Sequence, residues 1–205
     1  MATATTRLAL TPKDHGREID LEQFERSTGQ EGYKYEIIDG RVDVSPVPDL
    51  PQNDLEMWLF SKLSEYSQAR PGVINFLSTK TRVFVPTRKK ATCPEPDIAA
   101  YSDYPRHLPR SQRRWQDISP FLVVEVVSEE KPDKDLVRNV ALYLEVPSIR
   151  EYWVLDPRPD PDRPSLQVYR RRGKGWQKPI DVPFGGTYQT PRVLPGFTLV
   201  VDPDR

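Results

Sequence analysis

The sequence predicts an α/β fold in which helices flank a central mixed sheet, with a β-rich hairpin before this core and a β-rich extension after it. Three observations predict it. Residues 121–127 form a short apolar run rich in β-branched side chains, as in a strand buried on both faces. Residues 53–69 repeat leucines at helical spacing. Helical and strand-like segments then alternate along the rest of the chain.

Composition limits the classes of protein that the chain can represent. It has 205 residues, 30 basic and 30 acidic side chains and a formal net charge of zero. This length suits a leader over residues 1–18, expected to be flexible, and a single domain over residues 19–205. Neutrality argues against holding nucleic acid by bulk charge, although a local basic groove is compatible with it.

Cysteine, histidine and apolar content restrict the chain further. The single Cys93 excludes an intrachain disulfide, and two histidines disfavour a zinc site or a histidine triad. No stretch has the apolar length of a membrane span, and the N-terminus lacks a secretory signal pattern. We therefore expect a cytoplasmic protein without a membrane partner.

The first half of the chain contains clear element signals. Asp20 is a candidate cap for a short helix over residues 19–25. The Asp39-Gly40 pair between two β-prone runs predicts a hairpin of residues 35–38 and 41–44. The helix of residues 53–69 follows, and then strands at residues 73–77, 81–86 and 97–101.

The second half is predicted in the same way. Residues 102–119 form a polar, basic loop that is longer than compact domains usually leave without purpose. The buried strand is followed by a helix over residues 135–145 and a strand over residues 150–155. The C-terminal extension contributes strands at residues 166–170, 176–182 and 197–201.

Two carboxylates on neighbouring strands are the first candidates for a functional site. Glu125 lies inside the buried strand, where an unpaired carboxylate costs several kcal/mol. Asp97 begins the preceding strand. Mg²⁺ needs oxygen ligands and is often held by one or two carboxylates, so the pair suits such a cation. The alternatives are that Asp97 caps a turn after Pro96 and that Glu125 pairs with an arginine.

Five short motifs, in this order, resemble the Uma-type putative restriction endonuclease family of the PD-(D/E)XK nuclease superfamily. The resemblance covers residues 21–203. The motifs are Tyr35-Glu36-Ile37-Ile38-Asp39-Gly40, Ser45-Pro46-Val47-Pro48, Pro96-Asp97-Ile98-Ala99, Val123-Val124-Glu125-Val126-Val127-Ser128 and Glu151-Tyr152-Trp153-Val154-Leu155-Asp156.

This resemblance implies a restriction-endonuclease-like core that hydrolyses phosphodiester bonds in DNA with Mg²⁺, or Mn²⁺ as an alternative. It implies that Asp97 and Glu125 bind the metal, with the main-chain carbonyl of Val126 as a further ligand. It also brings Glu36 toward the site from the first hairpin. The alternative for Glu36 is a solvated hairpin residue.

The chain departs from the family pattern at the lysine. The superfamily usually has a lysine two residues after the glutamate, where this chain has Val127. The family often supplies it from the next helix, four residues before a tyrosine. Counting back from Tyr143, that position is Asn139, which is predicted to point inward but carries no charge. The histidine expected after the Ser-Pro-x-Pro segment is also replaced, by Gln52-Asn53.

Other cations could compensate for this departure. Lys131 and Lys134 lie in a turn flexible enough to reach the acids, and Arg138 neighbours Asn139 but is rotated away from its face. For all three, the alternative is a solvated position. In the loop of residues 102–119, four arginines and Trp115 could contact a phosphate backbone and stack a base, or form a solvated loop with one anchoring tryptophan.

Two functions follow. The first is an Mg²⁺-dependent endonuclease in which Asp97 and Glu125 hold the metal, assisted by Asn139 or by a lysine of the 131–134 turn. The second is a catalytically impaired member that binds nucleic acid or acts as an interaction module, including as a homodimer. A cationic side chain near the two acids would favour the first.

Overall fold

A computed structural model describes residues 7–205 of the chain. Its α-helices are α1 (Leu21–Arg26), α2 (Leu50–Ala69) and α3 (Asn139–Leu144). Its strands are β1 (Ala9–Leu10), β2 (Thr28–Gly29), β3 (Tyr33–Ile38), β4 (Arg41–Pro46), β5 (Phe76–Ser78), β6 (Ile98–Tyr101), β7 (Leu122–Val126), β8 (Glu151–Asp156), β9 (Ser165–Arg172), β10 (Gly175–Trp176), β11 (Ile180–Val182), β12 (Thr187–Gln189) and β13 (Thr198–Val200).

The central sheet is mixed, as predicted. Its strand order is β10-β9-β8-β7-β6-β5, and β11 pairs with β9. The β7–β8 pair is parallel and the other pairs are antiparallel. The α3 segment lies in the connection between the two parallel strands, as expected for a crossover between parallel neighbours. The predicted α/β class with a central mixed sheet and flanking helices is confirmed.

Each face of the sheet is covered by its own hydrophobic cluster, because side chains alternate along a strand. Even-numbered residues of β7, such as Val124, pack in one cluster with Leu55, Leu59 and Leu63 of α2. Odd-numbered ones, such as Val123, pack in a second cluster with Leu142 and other residues of α3. Burial on both faces explains why β7 is apolar at every position except Glu125.

The first hairpin forms as predicted around Asp39-Gly40. Both turn residues have positive φ, 49° and 70°, which is the geometry of a two-residue turn that matches strand twist. The hairpin packs in a third cluster that also contains Phe24 and Leu10.

The expected flexible leader of residues 1–18 needs correction over its described part, while residues 1–6 lie outside the described residues. Residues 7–18 include β1, paired in parallel with β2, and a 3₁₀ turn at Pro12–Asp14. Leu10 is buried against the hairpin, which gives this segment an apolar anchor.

Other predicted elements differ from the structure. The strand predicted at residues 73–77 is observed as β5, Phe76–Ser78. Residues 83 and 85 bond to residues 94 and 92, but residues 81–86 form no regular strand. The single strand predicted at residues 176–182 is divided into β10 and β11, with Pro179, which has no N–H, between them. The helix predicted from residue 135 begins at Pro132 and contains a π-helical turn, Lys134–Arg138, that leads directly into α3. Across residues 7–205, no helix is both long and apolar enough to cross a membrane.

Candidate metal centre and active site

Asp97 and Glu125 come together at one end of the β6–β7 pair. In the antiparallel register Ile98 lies opposite Val124, and one further step places Asp97, directly before β6, opposite Glu125. Residues opposite each other in such a pair are close neighbours. Both residues are buried, with 7% and 1% of their surfaces exposed. The predicted juxtaposition of the two acids is present.

Glu125 is held by two side chains of the α3 segment. Asn139 Nδ2 donates to Glu125 Oε1 at 2.8 Å, and Tyr143 OH donates to the same oxygen at 2.7 Å. Asn139 therefore points inward, as its helical position predicted. The other oxygen, Oε2, is buried without a hydrogen-bond partner in residues 7–205. The alternative that Glu125 pairs with an arginine is wrong.

Asp97 is held by a lysine and a main-chain amide. Lys34 Nζ of β3 lies 2.8 Å from Asp97 Oδ1, and the N–H of Val126 donates to Oδ2 at 2.8 Å. The second bond runs across to β7, so Asp97 does not cap a turn after Pro96. Burial raises the pKa of Asp97, but the charges of Lys34 and Lys134 outweigh it and hold the pKa below its ordinary value. Asp97 is therefore ionised at neutral pH.

Glu36 is buried beside the site and pairs with two cations. Lys134 Nζ lies 3.6 Å from Glu36 Oε1, and Arg138 donates to Oε2 at 2.6 Å. The N–H of Glu95 also donates to Glu36, at 2.8 Å. Burial raises the pKa of Glu36, but the two cations outweigh it and lower the pKa to about 2. The alternative of a solvated hairpin residue is wrong, since Glu36 is 1% exposed.

The cations of the 131–138 segment are also drawn inward. The Lys134 side chain is only 10% exposed. Burial lowers the pKa of Lys134, but the charges of Glu36, Glu125 and the other nearby acids outweigh it and raise the pKa above its ordinary value. Arg138 bridges Glu36 and Asp43. The solvated alternative is wrong for these two. Lys131 is half-buried and contacts Asp43 and the carbonyl of Val44 rather than the acid pair.

The electrostatic balance leaves Glu125 as the acid that most needs a positive partner. Burial and the neighbouring charge of Asp135 raise the pKa of Glu125 well above its ordinary value, and Asp97 adds to this. Burial and nearby acids likewise raise the pKa of Asp135 to about 7. Burial lowers the pKa of Lys34, but the charge of Asp97 outweighs it and raises the pKa above its ordinary value. Lys34 is therefore a fixed cation and not a proton acceptor at neutral pH.

A cleft of about 680 Å³ opens beside the site, and Asp97 and Lys34 form part of its wall. Glu56 of α2 lines the same cleft. Burial and the charge of Asp97 raise the pKa of Glu56 to about 7. A ligand in this cleft would meet Asp97 first, with Glu125 buried behind it.

The residues present fit a hard divalent cation. The described part of the chain has no group of three or more His, Cys, Asp or Glu side chains arranged to hold a metal. Two carboxylates are nevertheless enough for Mg²⁺, which usually keeps several waters. The unpartnered Oε2 of Glu125 is the kind of oxygen that such a cation would satisfy. The main-chain N–H of Val126 is fixed next to Asp97, while a role for its carbonyl stays a prediction.

Lys34, Glu56 and the structural role of Tyr143 were not predicted from the sequence. The sequence does contain a signal for Lys34, because it is two residues from Glu36 and alternation along a strand puts both side chains on one face. The signal for Glu56 is weaker: it is an acid that lies off the predicted leucine stripe of α2.

Comparisons with known proteins give a similar solved structure and a matching family. A solved structure described as a putative nuclease belonging to DUF820, from Anabaena variabilis ATCC 29413, is similar with a TM-score of 0.65 at 16% identity; the match covers 89% of this chain and 95% of that one. At this identity the likeness shows the fold. No curated protein matches the chain. The family model Uma2, described as putative restriction endonuclease, matches residues 21–202, nearly the whole chain, and the protein therefore belongs to the Uma2 family.

Proposed function

We propose that the protein is an Mg²⁺-dependent endonuclease that hydrolyses phosphodiester bonds in DNA, with Mn²⁺ as an alternative metal. Membership of a family described as restriction endonucleases supports nuclease chemistry in general. Dependence on Mg²⁺, the DNA substrate and a cytoplasmic location are parts of this proposal.

The single observation that carries the proposal is the position of Lys34 and Lys134 around the acid pair. Lys34 contacts Asp97 directly, and the charge of Lys134 acts on both Asp97 and Glu125. The family's usual lysine positions are occupied by Val127 and Asn139. Two partly buried lysines, from β3 and from the π-helical turn, are thus available to supply the positive charge that these positions lack.

The chain's own residues have distinct tasks in this proposal. Asp97 and Glu125 hold the divalent cation, which when bound activates water and offsets charge on a phosphoryl group. Asn139 and Tyr143 fix the Glu125 carboxylate. Lys34, which keeps its proton, stabilises the negative charge that builds on the phosphate oxygens as the water oxygen bonds to phosphorus and the leaving oxygen departs. Glu36 keeps Lys134 and Arg138 in place.

The test is cleavage of supercoiled plasmid with added Mg²⁺ or Mn²⁺ and with a chelator. We expect metal-dependent nicking by the natural protein and its loss in Asp97→Asn and Glu125→Gln. Glu65→Gln, on the exposed face of α2, is the matched control and should cleave normally. Cleavage that persists unchanged in both site variants would come from a contaminant and would overturn the proposal.

A second candidate is a catalytically impaired nuclease fold that binds nucleic acid or acts as a homodimeric interaction module. It is favoured by Asn139 at the family's lysine position and by the tight pairing of Lys34 with Asp97. Metal-independent DNA binding without plasmid cleavage at any metal concentration would select this candidate.

A further inference from the structure

The long loop between β6 and β7 contains a second cavity, of about 450 Å³, that the proposed chemistry does not use. It is lined by three aromatic rings and by arginines on its rim. The lining side chains are Phe76, Tyr104, Trp115, Ile118, Arg106, Arg110, Arg113 and Arg114. We call this the arginine cavity.

The positive charge of the arginine cavity is only partly cancelled by acids. Arg106 donates to the carbonyl of Asn75, and Arg113 donates to the carbonyls of Leu108 and Arg106. These acceptors are neutral, so they order the guanidinium groups without removing their charge. Arg114 pairs with Asp117 in an exposed, salt-screened contact, and Arg110 is exposed. The loop therefore holds ordered cations that face solvent.

The floor of the cavity is aromatic. Phe76 and Tyr104 are stacked with ring centroids 3.9 Å apart, and Trp115 lies 6.3 Å from Tyr101. Arg113 lies over the Tyr104 ring at 5.5 Å. Aromatic faces next to cationic groups are the combination that binds single nucleic-acid strands, because bases stack while phosphates pair with the cations.

The arginine cavity and the cleft beside the acid pair are linked by one strand of the sheet. Strand β5 is the edge strand of the sheet, and Phe76 at its start lines the arginine cavity. Thr79 and Lys80, directly after its end, line the cleft beside Asp97. Extending the β5–β6 register places Lys80 opposite Asp97. The two cavities thus lie at opposite ends of one short edge strand.

The spacing matches a few nucleotides of one DNA strand. Tyr101 lies opposite Phe76, and four residue steps of extended chain lead from Tyr101 to Asp97, on the order of 13 Å. One strand of a duplex rises 3.4 Å per nucleotide, so this distance corresponds to roughly four phosphates.

We propose that the arginine cavity binds the DNA strand about four nucleotides from the bond that is cut, with Arg110 and Arg114 on phosphates and the aromatic floor against a base that is unpaired there. This inference rests on the proposed function and names the path of its substrate along the edge strand β5. Arg106 and Arg113 act as positioning residues that hold the loop.

Binding is measured so that it does not depend on cleavage. The protein carries Glu125→Gln, divalent metal is absent, and a fluorescently labelled DNA strand is titrated at several salt concentrations. The test variants are Arg110→Gln and Arg114→Gln. The matched control is Arg26→Gln, because Arg26 has the same exposure as Arg114 (64% against 66% of the side chain) and a similar short-range acidic partner, Glu22.

Each test variant should bind about fivefold more weakly at 0.1 M salt and lower the slope of log K against log salt by about 0.7, the loss of one phosphate contact to a single strand. Arg26→Gln should change neither quantity. Unchanged slopes in the test variants, or an equal loss in Arg26→Gln, would overturn the inference. Equal competition by polyglutamate of matched charge would also overturn it, since the cavity would then bind any polyanion.

The outcomes separate this inference from the proposed function. Metal-dependent plasmid cleavage with unaltered binding in Arg110→Gln and Arg114→Gln would contradict the proposed DNA contact in the arginine cavity and would still support the nuclease activity. Arginine-dependent binding without any cleavage supports the cavity as a nucleic-acid contact and overturns the nuclease activity.

Discussion

Lys34 donates to Asp97 at 2.8 Å, although 63 residues separate them in the chain. The lysine comes from the first hairpin, and the aspartate directly precedes β6, an inner strand of the central sheet. Part of the positive charge of the candidate site is therefore supplied from outside the strand and helix that carry Glu125 and Asn139, in addition to Lys134 of the π-helical turn. If this pairing matters for catalysis, removing the lysine should affect activity more than folding.

Lys34→Met tests that expectation directly. Removing a preorganised cation from a phosphoryl-transfer site lowers the rate on the order of a hundred- to a thousandfold. We expect such a loss of metal-dependent plasmid cleavage, measured as initial rates at saturating Mg²⁺. Lys89→Met, at an exposed position, is the control for the change of charge. Activity of Lys34→Met within a fewfold of the natural protein would remove Lys34 from the site.

Metal binding should be visible as a change in stability. Without metal, Glu125 is buried near Asp135 and Asp97, and Glu125→Gln removes one acid from this group. We expect this variant to melt at a higher temperature than the natural protein in a chelator at pH 8. With Mg²⁺ at about a hundred times its dissociation constant, the natural protein should gain about 2.7 kcal/mol, or roughly 5–10 °C.

The Glu125→Gln variant should show no such gain with Mg²⁺. A metal-induced shift of the same size in both proteins would place the metal elsewhere. Thermal scans with and without Mg²⁺ give both comparisons in one experiment.

Tyr143 is predicted to act through Glu125. Tyr143→Phe removes the hydrogen bond to Glu125 Oε1, and Tyr152→Phe removes a similar buried bond to the carbonyl of Asp135. Each should cost about 1–2 kcal/mol in the free energy of unfolding. Only Tyr143→Phe should raise the Mg²⁺ concentration needed for half-maximal cleavage. An equal change in both variants would reduce Tyr143 to a structural residue.

Glu36 should make stability depend on pH in a defined window. Its pKa is lowered in the folded protein from an ordinary value of 4.5 to about 2. The stability that it contributes is therefore complete above about pH 4.5 and is lost as the pH falls toward 2. Glu36→Gln leaves Lys134 and Arg138 without their buried partner, so it should cost about 3–5 kcal/mol at pH 7.

The measurement is urea unfolding of the natural protein and Glu36→Gln between pH 7 and pH 3. Their difference in unfolding free energy should shrink steadily below pH 4.5, while Glu65→Gln should stay close to the natural protein throughout. A difference that does not change with pH would mean that folding does not lower the pKa of Glu36.

The sequence was sufficient for the sheet and for the acid pair because both depend on local signals. An apolar, β-branched run predicts a strand buried on two faces, and an acid inside it requires a partner. The leucine stripe of α2 and the Asp39-Gly40 turn likewise follow from neighbouring residues. These features are set by periodicity and turn chemistry over a few residues.

The features that sequence analysis missed depend on contacts between distant segments. Lys34 was not among the predicted site residues, and for Lys134 a position near the acids and a solvated position both stayed open, because their placement follows from how the hairpin and the π-helical turn pack on the acids. The segment at residues 81–86 has an alternating pattern but lacks a regular ladder. Leu10 lies in a segment that was predicted to be a flexible leader, because the apolar surface on which it packs comes from the hairpin, which is distant in the sequence.

The π-helical turn at Lys134–Arg138 sets the rotational position, about the helix axis, of the α3 residues that follow it. The N–H of Asn139 bonds to the carbonyl of Lys134, so this turn holds one residue more than an α-helical turn would. Relaxing this turn to the ordinary α-helical pitch at unchanged length would rotate Asn139 and Tyr143 by about 100° relative to Lys134. The glutamate would then lose both of its clamps at once, whereas deleting one residue together with that relaxation would keep the helix in phase and both clamps in place.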